Sequence, residues 1–278
     1  MKNKTIQDYS VSKEKFELEY DSKNELYKTI FTNFKKLGDY YKSENYISHT
    51  DGKRNWFEKF YQKVKEHTIK TKWNLIKKFH QKSNLSVLDI GCGTGDFLKF
   101  GIDHFQFKGI GVEPNESARS ITQSKNVVVE DSIKNIKENS FDVISLWHVL
   151  EHVSDLDEYF NFFQEKLNQD GLLIIAVPNY KSFDATYYKD HWAAWDVPRH
   201  LWHFSKSSIE NLIKPYHFEL MHIEPMYFDS YYVSLLSEEY KTGSKNILKA
   251  FWIGFLSNLK AKKSKEYSSH IYFFKKSI

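Results

Sequence analysis

Val87-Leu88-Asp89-Ile90-Gly91-Cys92-Gly93-Thr94-Gly95-Asp96-Phe97 runs from an apolar strand through a glycine-rich turn into the start of a helix. Val87, Leu88 and Ile90 suit a strand buried on both faces of a parallel sheet. Gly91, Gly93 and Gly95 lack the Cβ that would keep the backbone from a ligand or from positive φ. The spacing separates two cofactor classes. The dinucleotide fingerprint is G-x-G-x-x-G, with free amides facing a pyrophosphate. Here the pattern is G-x-G-x-G, and Asp96 stands where the third glycine would be. An acidic group beside the loop repels a pyrophosphate, which argues against a nicotinamide oxidoreductase. The same group suits a ligand carrying an ammonium and a sulfonium.

The form hydrophobic-hydrophobic-D-h-G-x-G-x-G resembles the first motif of the class I S-adenosylmethionine-dependent methyltransferases. Acidic residues after the next strands extend the match. The second strand, 107–112, ends at Glu113-Pro114, close to the ~20-residue interval at which a carboxylate accepts from ribose hydroxyls. An ordinary solvated glutamate at a strand end is the alternative. A third strand, 127–129, precedes Glu130-Asp131-Ser132, where the resemblance puts Asp131 against the adenine amino group with Ser132 beside it. The fourth, 141–146, leads into Trp147-His148-Val149-Leu150-Glu151-His152. This stretch is similar to the ubiquinone-biosynthesis O-methyltransferase branch, in which the residue at Trp147 lies under the methionine half of the cofactor. Trp147 is expected there, its ring facing the sulfonium, or as a core tryptophan. The expected cofactor set is Asp89, Gly91, Cys92, Gly93, Gly95, Glu113, Pro114, Asp131, Ser132, Trp147 and His148, and the cofactor is S-adenosylmethionine.

His148 to His152 also spells H-x-x-E-H, an inverted zinc-peptidase signature. It follows a parallel strand inside a cofactor-binding unit rather than lying on a protease helix, so peptidase activity is rejected. Relatives with E-x-x-E-H here hold a metal, but His148 replaces their first Glu. Packing of Glu151 and His152 at a helix start is expected in place of a divalent ion.

The segment 180–204 concentrates rings, imidazoles and one arginine without helix or strand periodicity, which reads as a lid shaping a pocket. Its W-x-x-x-D-x-P-R-H-L-x-H-F pattern is similar to a stretch in bacterial class I methyltransferases. Trp192, Trp195 and Trp202 are candidates to stack on a substrate ring. Arg199 is a candidate for an acidic substrate group or for pairing with Asp196. Upstream, Tyr41, Tyr46 and His49 are candidates to close over cofactor or substrate, or to seat a surface helix. Methyl transfer rests on alignment and exclusion of water. For a hydroxyl acceptor a histidine base adds ~10²–10⁴ in rate. The candidates are His200, His203 and His148, in that order, with a structural role the alternative for each.

Forty basic and thirty-six acidic residues leave a formal charge of +4, too small an excess to argue for nucleic acid. Base methyltransferases carry N/D-P-P-Y/F after strand four, where this chain has Leu146-Trp147-His148. The single cysteine excludes an internal disulfide framework. The polar start Met1-Lys2-Asn3-Lys4 shows no signal peptide and no apolar run reaches ~18 residues, so a cytoplasmic location is expected.

The expected fold is α/β: a Rossmann-like seven-stranded sheet of order 3-2-1-4-5-7-6 with strand seven antiparallel. An N-terminal hairpin (15–20 and 26–29) and helical cap occupy 1–50, and the methyltransferase domain 51–278 carries the lid and a helical insertion, 230–266, between strands six and seven. In that insertion Ile247, Leu248, Phe251, Trp252, Phe255, Leu256 and Leu259 form a stripe flanked by lysines. It is expected to pack on lid or sheet; exposed, it would form a homodimer contact. The expected activity is methyl transfer to a small-molecule acceptor at oxygen, the alternatives being an RNA or protein methyltransferase or a non-catalytic cofactor-binding module.

Overall fold

A computed structural model describes residues 2–41 and 56–277, with the side chains of 34, 35 and 56–65 left aside. The strands are β1 (Lys4–Gln7), β2 (Lys15–Asp21), β3 (Leu26–Thr29), β4 (Ser86–Ile90), β5 (Lys108–Val112), β6 (Val128–Glu130), β7 (Phe141–Trp147), β8 (Leu167–Pro178), β9 (Trp202–His203), β10 (Phe218–Pro225) and β11 (Ser269–Lys276). The α-helices are α1 (Trp56–Phe79), α2 (Asp96–Phe105), α3 (Glu116–Ser124), α4 (Leu156–Lys166), α5 (Phe183–Tyr188), α6 (Lys206–Ile213), α7 (Asp229–Thr242) and α8 (Ile247–Ser264).

One sheet has the order β10-β11-β8-β7-β4-β5-β6. Numbered along the chain as its own seven strands, this is the expected 3-2-1-4-5-7-6 read from the other edge. The hairpin is also present, but it is only half of its sheet. β1 and β9 flank it in a second, four-stranded sheet of order β1-β2-β3-β9. The fifth strand of the large sheet begins at Leu167, five residues before the apolar run at Leu172. Asn168-Gln169-Asp170-Gly171 has turn composition, yet the chain there continues the strand from the end of α4.

Contacts divide the chain into two compact units, one comprising Ile47–Trp147, Asp157–Ile174 and Phe274–Ile278 and the other Met1–Tyr46, His148–Leu156 and Ile175–Phe273. In the first, β4 pairs in parallel with β5 and with β7, and Val87, Leu88, Val143 and Ile144 have no exposure. The register sets Asp89 opposite Ser145. Trp73 of α1 stacks on Phe97 of α2 at 4.4 Å and donates its Nε1–H to the Phe97 carbonyl at 2.9 Å. Gly101 makes this close approach possible, since a Cβ there would collide with the Trp73 ring.

The second unit is built on aromatic packing. Leu18, Tyr27, Tyr180, Tyr188, Trp192 and Trp195 belong to one buried cluster. Asp184 at the start of α5 is fully buried and accepts from Trp192 Nε1 at 2.8 Å, Ser257 Oγ at 2.6 Å and Ser268 Oγ at 2.8 Å. Three donors on one carboxylate replace the water that burial removes.

Candidate active site

The glycine turn leaves β4 with all three glycines at positive φ, +71° at Gly91, +55° at Gly93 and +75° at Gly95. L-residues cost roughly 1–2 kcal/mol each in this region. At Gly93 a Cβ would meet nothing within 4 Å, so the turn borders open space. Glu113, after β5, accepts from the Gly93 amide at 3.0 Å and the Asn115 amide at 2.9 Å, an arrangement that aims its carboxylate and leaves lone pairs over. Asp89 is buried and accepts from Ser145 Oγ at 2.6 Å. Burial raises its carboxyl above the usual range, against the Ser145 bond and Lys72. Cys92 is buried, which pushes its thiol up and leaves it no nucleophile. Pro114 and Asp131 are exposed; Asp131 accepts from Asn135 Nδ2 at 2.6 Å, and Ser132 caps the following turn.

Trp147 ends β7 with its Nε1 buried and without a hydrogen-bond partner. Phe97 meets the ring edge-on at 5.6 Å, and Lys72 Nζ lies 4.0 Å from its centroid. Lys72 escaped the sequence reading because it is one of many lysines on α1; its position beside Trp73 is the only local signal.

In the other unit His148 has φ +58°, an uncommon conformation for a non-glycine residue. Its Nε2 lies 3.0 Å from Asp229 Oδ2 and its Nδ1 3.4 Å from Glu151 Oε1. Burial alone would lower its pKa, but the two carboxylates raise it to about 10. The two carboxylates favour its imidazolium form, which argues against the base role expected of it. Asp229, the first residue of α7, was not foreseen, since only the tertiary fold brings it to His148.

Glu151 is 1% exposed, and neither carboxylate oxygen has a hydrogen bond. Burial pushes its pKa up, but His148 and the neighbouring imidazoles hold it down. His152 and His200 meet edge to face at 4.6 Å. The Nδ1 of His200 lies 2.9 Å from the Ala194 carbonyl, and that of His152 3.0 Å from the Arg199 carbonyl and 3.1 Å from Tyr41 Oη. A carbonyl on Nδ1 fixes the proton there and leaves each Nε2 with its lone pair. Burial and His200 lower the His152 pKa to about 4. Among the described residues Glu151, His152 and His200 form the group able to hold a metal ion, with ligand atoms within 4.8 Å of one another. This is a nitrogen and carboxylate set suited to a divalent cation.

Much of the segment expected as a lid is buried, with Thr186, Lys189 and Asp190 exposed. Trp192 and Trp195 are each 2% exposed. Their N–H groups are taken by Asp184 and the Lys189 carbonyl, and that of Trp202 by the Val153 carbonyl. Trp192 and Trp195 therefore pack the interior rather than a substrate. Arg199, also 2% exposed, reaches Asp196 at 2.6 Å, Asp8 at 3.1 Å, the Tyr40 carbonyl at 2.9 Å and Ser10 Oγ. With every arm engaged it has none for a substrate anion. Asp8 was missed, although Asp8-Tyr9-Ser10-Val11-Ser12 is a legible turn signal: the carboxylate accepts from the amides of Ser10, Val11 and Ser12. His203 is buried with Nε2 2.9 Å from Thr29 Oγ1, and burial drives its pKa well down. It serves the hairpin contact. Tyr46 and His49 lie outside the described residues.

This strand order with a glycine turn after the first strand defines a class I S-adenosylmethionine-dependent methyltransferase. The family described as a methyltransferase domain matches residues 57–223, more than half of the chain, and the chain belongs to it. A ubiquinone biosynthesis O-methyltransferase of Bradyrhizobium diazoefficiens is 26% identical over 118 residues, 39% of this chain and 46% of that protein. An uncharacterised protein of Methanocaldococcus jannaschii is 32% identical over 105 residues, 38% of this chain and 46% of its own. The similarity thus spans about half the length of these curated relatives. A Haemonchus contortus phosphoethanolamine N-methyltransferase 2, solved with S-adenosyl-L-methionine, shares the fold with a TM-score of 0.51 at 19% identity, over 75% of this chain and 53% of that one.

Proposed function

We propose that the protein transfers a methyl group from S-adenosylmethionine to a small-molecule acceptor, at an oxygen atom. The observation that carries the cofactor reading is Gly93, whose left-handed backbone borders space that a side chain would fill. The neighbouring residues suit the same ligand. Glu113 is aimed by two amides and keeps lone pairs for two ribose hydroxyls. Asp131 and Ser132 follow β6 where an adenine edge would be met. The orphaned N–H of Trp147 suits the methionine carboxylate.

The cofactor, when bound, supplies a methyl carbon already activated by its sulfonium. The chain has to hold the acceptor in line, exclude water and take a proton. His200 fits the last task, because its Nδ1 is held by the Ala194 carbonyl and its Nε2 lone pair remains. His148, charged between Asp229 and Glu151, serves as a hydrogen-bond donor and positive charge. An amine acceptor deprotonated in solution has no need of a base, so the histidine arrangement favours a hydroxyl. The O-methyltransferase relative points the same way.

S-adenosylhomocysteine at a hundredfold excess over its Kd should stabilise the protein by about 2.7 kcal/mol in a thermal-shift series. Gly93→Arg should remove that gain while the protein remains folded, and radiolabelled S-adenosylmethionine should label hydroxyl compounds in a metabolite extract. No stabilisation of the wild type by S-adenosylhomocysteine would defeat the cofactor reading. Labelling confined to amines would defeat the oxygen assignment.

A further inference from the structure

We propose that the outer face of α8, with the adjoining start of α7, docks on an anionic lipid surface. This does not depend on the methyltransferase reading. The helix is sorted in an unusual sense. It buries its small residues, Ala250, Gly254, Ser257 and Ala261, together with Ile253. It exposes the large ones: Leu248 is 85% accessible, Phe251 60% and Trp252 57%, with Phe255 and Leu259 also exposed. Most of the stripe expected to pack on lid or sheet therefore faces outward, while Leu256 packs against the aromatic cluster.

The physical reason lies in α7, which buries Ser230, Ser234 and Ser237. Small residues on both helices bring the backbones close enough for Ser230 Oγ to donate to the Gly254 carbonyl at 3.1 Å, and a Cβ on Gly254 would lie 2.9 Å from Tyr231 Cα. Small residues inward and large apolar residues outward is how helices pack when their outer surroundings are apolar. At helical spacing Leu248, Phe251, Trp252, Phe255 and Leu259 fall on one side of α8, and Phe228 and Tyr232 add exposed rings from the start of α7. Isolated exposed apolar residues need no explanation, but a contiguous group does.

Charge decides the occupant. α8 contains no acidic residue; Lys249 pairs with the buried Glu238, Lys245 with Glu239, and Lys260 lies over the Phe183 ring, so the charge offered to a partner is that of Lys262, Lys263 and, just past the helix end, Lys265. Lys262 and Lys263 are exposed. Leu259, Lys263 and Ser264 lie side by side on this open surface, an apolar residue next to a lysine and a hydroxyl. In a parallel two-fold pairing the exposed Lys262 and Lys263 of two copies would meet and repel, which opposes a homodimer of that sense through this face. No helix among the described residues is long and apolar enough to cross a membrane. A helix lying in the interface, with rings in the acyl boundary and lysines among headgroups, satisfies both sets of side chains.

The test is sedimentation of the full chain with vesicles of phosphatidylcholine alone and of phosphatidylcholine mixed with phosphatidylglycerol. The protein should pellet with the mixed vesicles, release as salt is raised, and stay largely in solution with phosphatidylcholine alone. Lys262→Ala with Lys263→Ala should weaken partitioning about thirtyfold, from the usual contribution of a lysine near an anionic surface. Phe251→Ser with Phe255→Ser should weaken it at least about tenfold. Both pairs should keep the helical signal and the response to S-adenosylhomocysteine. Failure of the wild type to pellet with mixed vesicles at low salt overturns the proposal. So does a wild-type dimer in light scattering that the phenylalanine pair renders monomeric without any vesicle binding.

Discussion

Replacing Arg199 by methionine tests whether the conspicuous arginine of the aromatic segment is a structural tie or a substrate ligand. The Arg199 side chain is 2% exposed, Asp8 is fully buried and Asp196 is 21% exposed. Methionine preserves much of the apolar volume but strands the Asp8 carboxylate. One-sided loss of a buried pair costs about 3–5 kcal/mol. The lower end is expected, because the amides of Ser10, Val11 and Ser12 still serve Asp8. At about 2–4 °C per kcal/mol, Arg199→Met should lower Tm by roughly 6–12 °C and reduce the urea midpoint without changing m.

The acid limb adds a second signature. Burial pushes the Asp8 pKa up, but the Ser12 amide, Arg199 and the other donors bring it to about 2. A carboxylate depressed in this way stabilises the fold above its unfolded value near 4, and the contribution is lost as pH falls toward 2. Without Arg199 the Asp8 pKa rises toward its unfolded value, so the stability that the wild type loses between about pH 4 and 2 through this group should shrink. Adding Asp8→Asn removes the stranded charge and should restore part of the Tm. If Arg199→Met melts within 2 °C of wild type and instead raises KM for the acceptor, the structural assignment is wrong.

Asp229→Asn should bring the His148 pKa down from about 10 toward neutrality, read as the ring-proton shift in an NMR titration. Because the raised imidazole pKa stabilises the fold fully below its unfolded value near 6.5 and progressively less as pH climbs through 10, the variant should start from lower stability and show a smaller decline over that pH range. A wild-type His148 titrating near 6.5 would refute the arrangement. Gly101→Ala should destabilise the fold by about 1–3 kcal/mol through overpacking against Trp73, seen as a lower urea midpoint and a changed near-UV spectrum. A change below about 0.5 kcal/mol would show that the α1–α2 contact is looser than described.

The elements that read well from the chain were those with local signatures. The turn at Gly91-Cys92-Gly93-Thr94-Gly95 and the apolar strands on either side of it carry their instructions within a few residues. The aromatic segment 180–204 misled because it lacks periodicity, and absence of periodicity looks the same for a pocket wall and for an irregular core. Trp192 and Trp195 were inside and Trp202 half-buried, each N–H bonded to protein. β9 was invisible for a related reason: two residues carry no alternation, and pairing with Tyr27 and Lys28 creates the strand. The helical stripe of α8 was legible as a helix but not in its direction, since amphipathic spacing does not say which face the neighbours will take.

The order of the chain alone determined the class of fold and the glycine turn after its first strand, because both follow from short-range sterics: β-carbons forbid the turn that glycines allow, and continuous apolar runs must lie inside. The charge state of His148, the engagement of Arg199 and the outward face of α8 were decided only by tertiary structure. Each depends on partners 81, 191 or 24 residues away in sequence, and no local pattern encodes the field or the packing that distant groups impose.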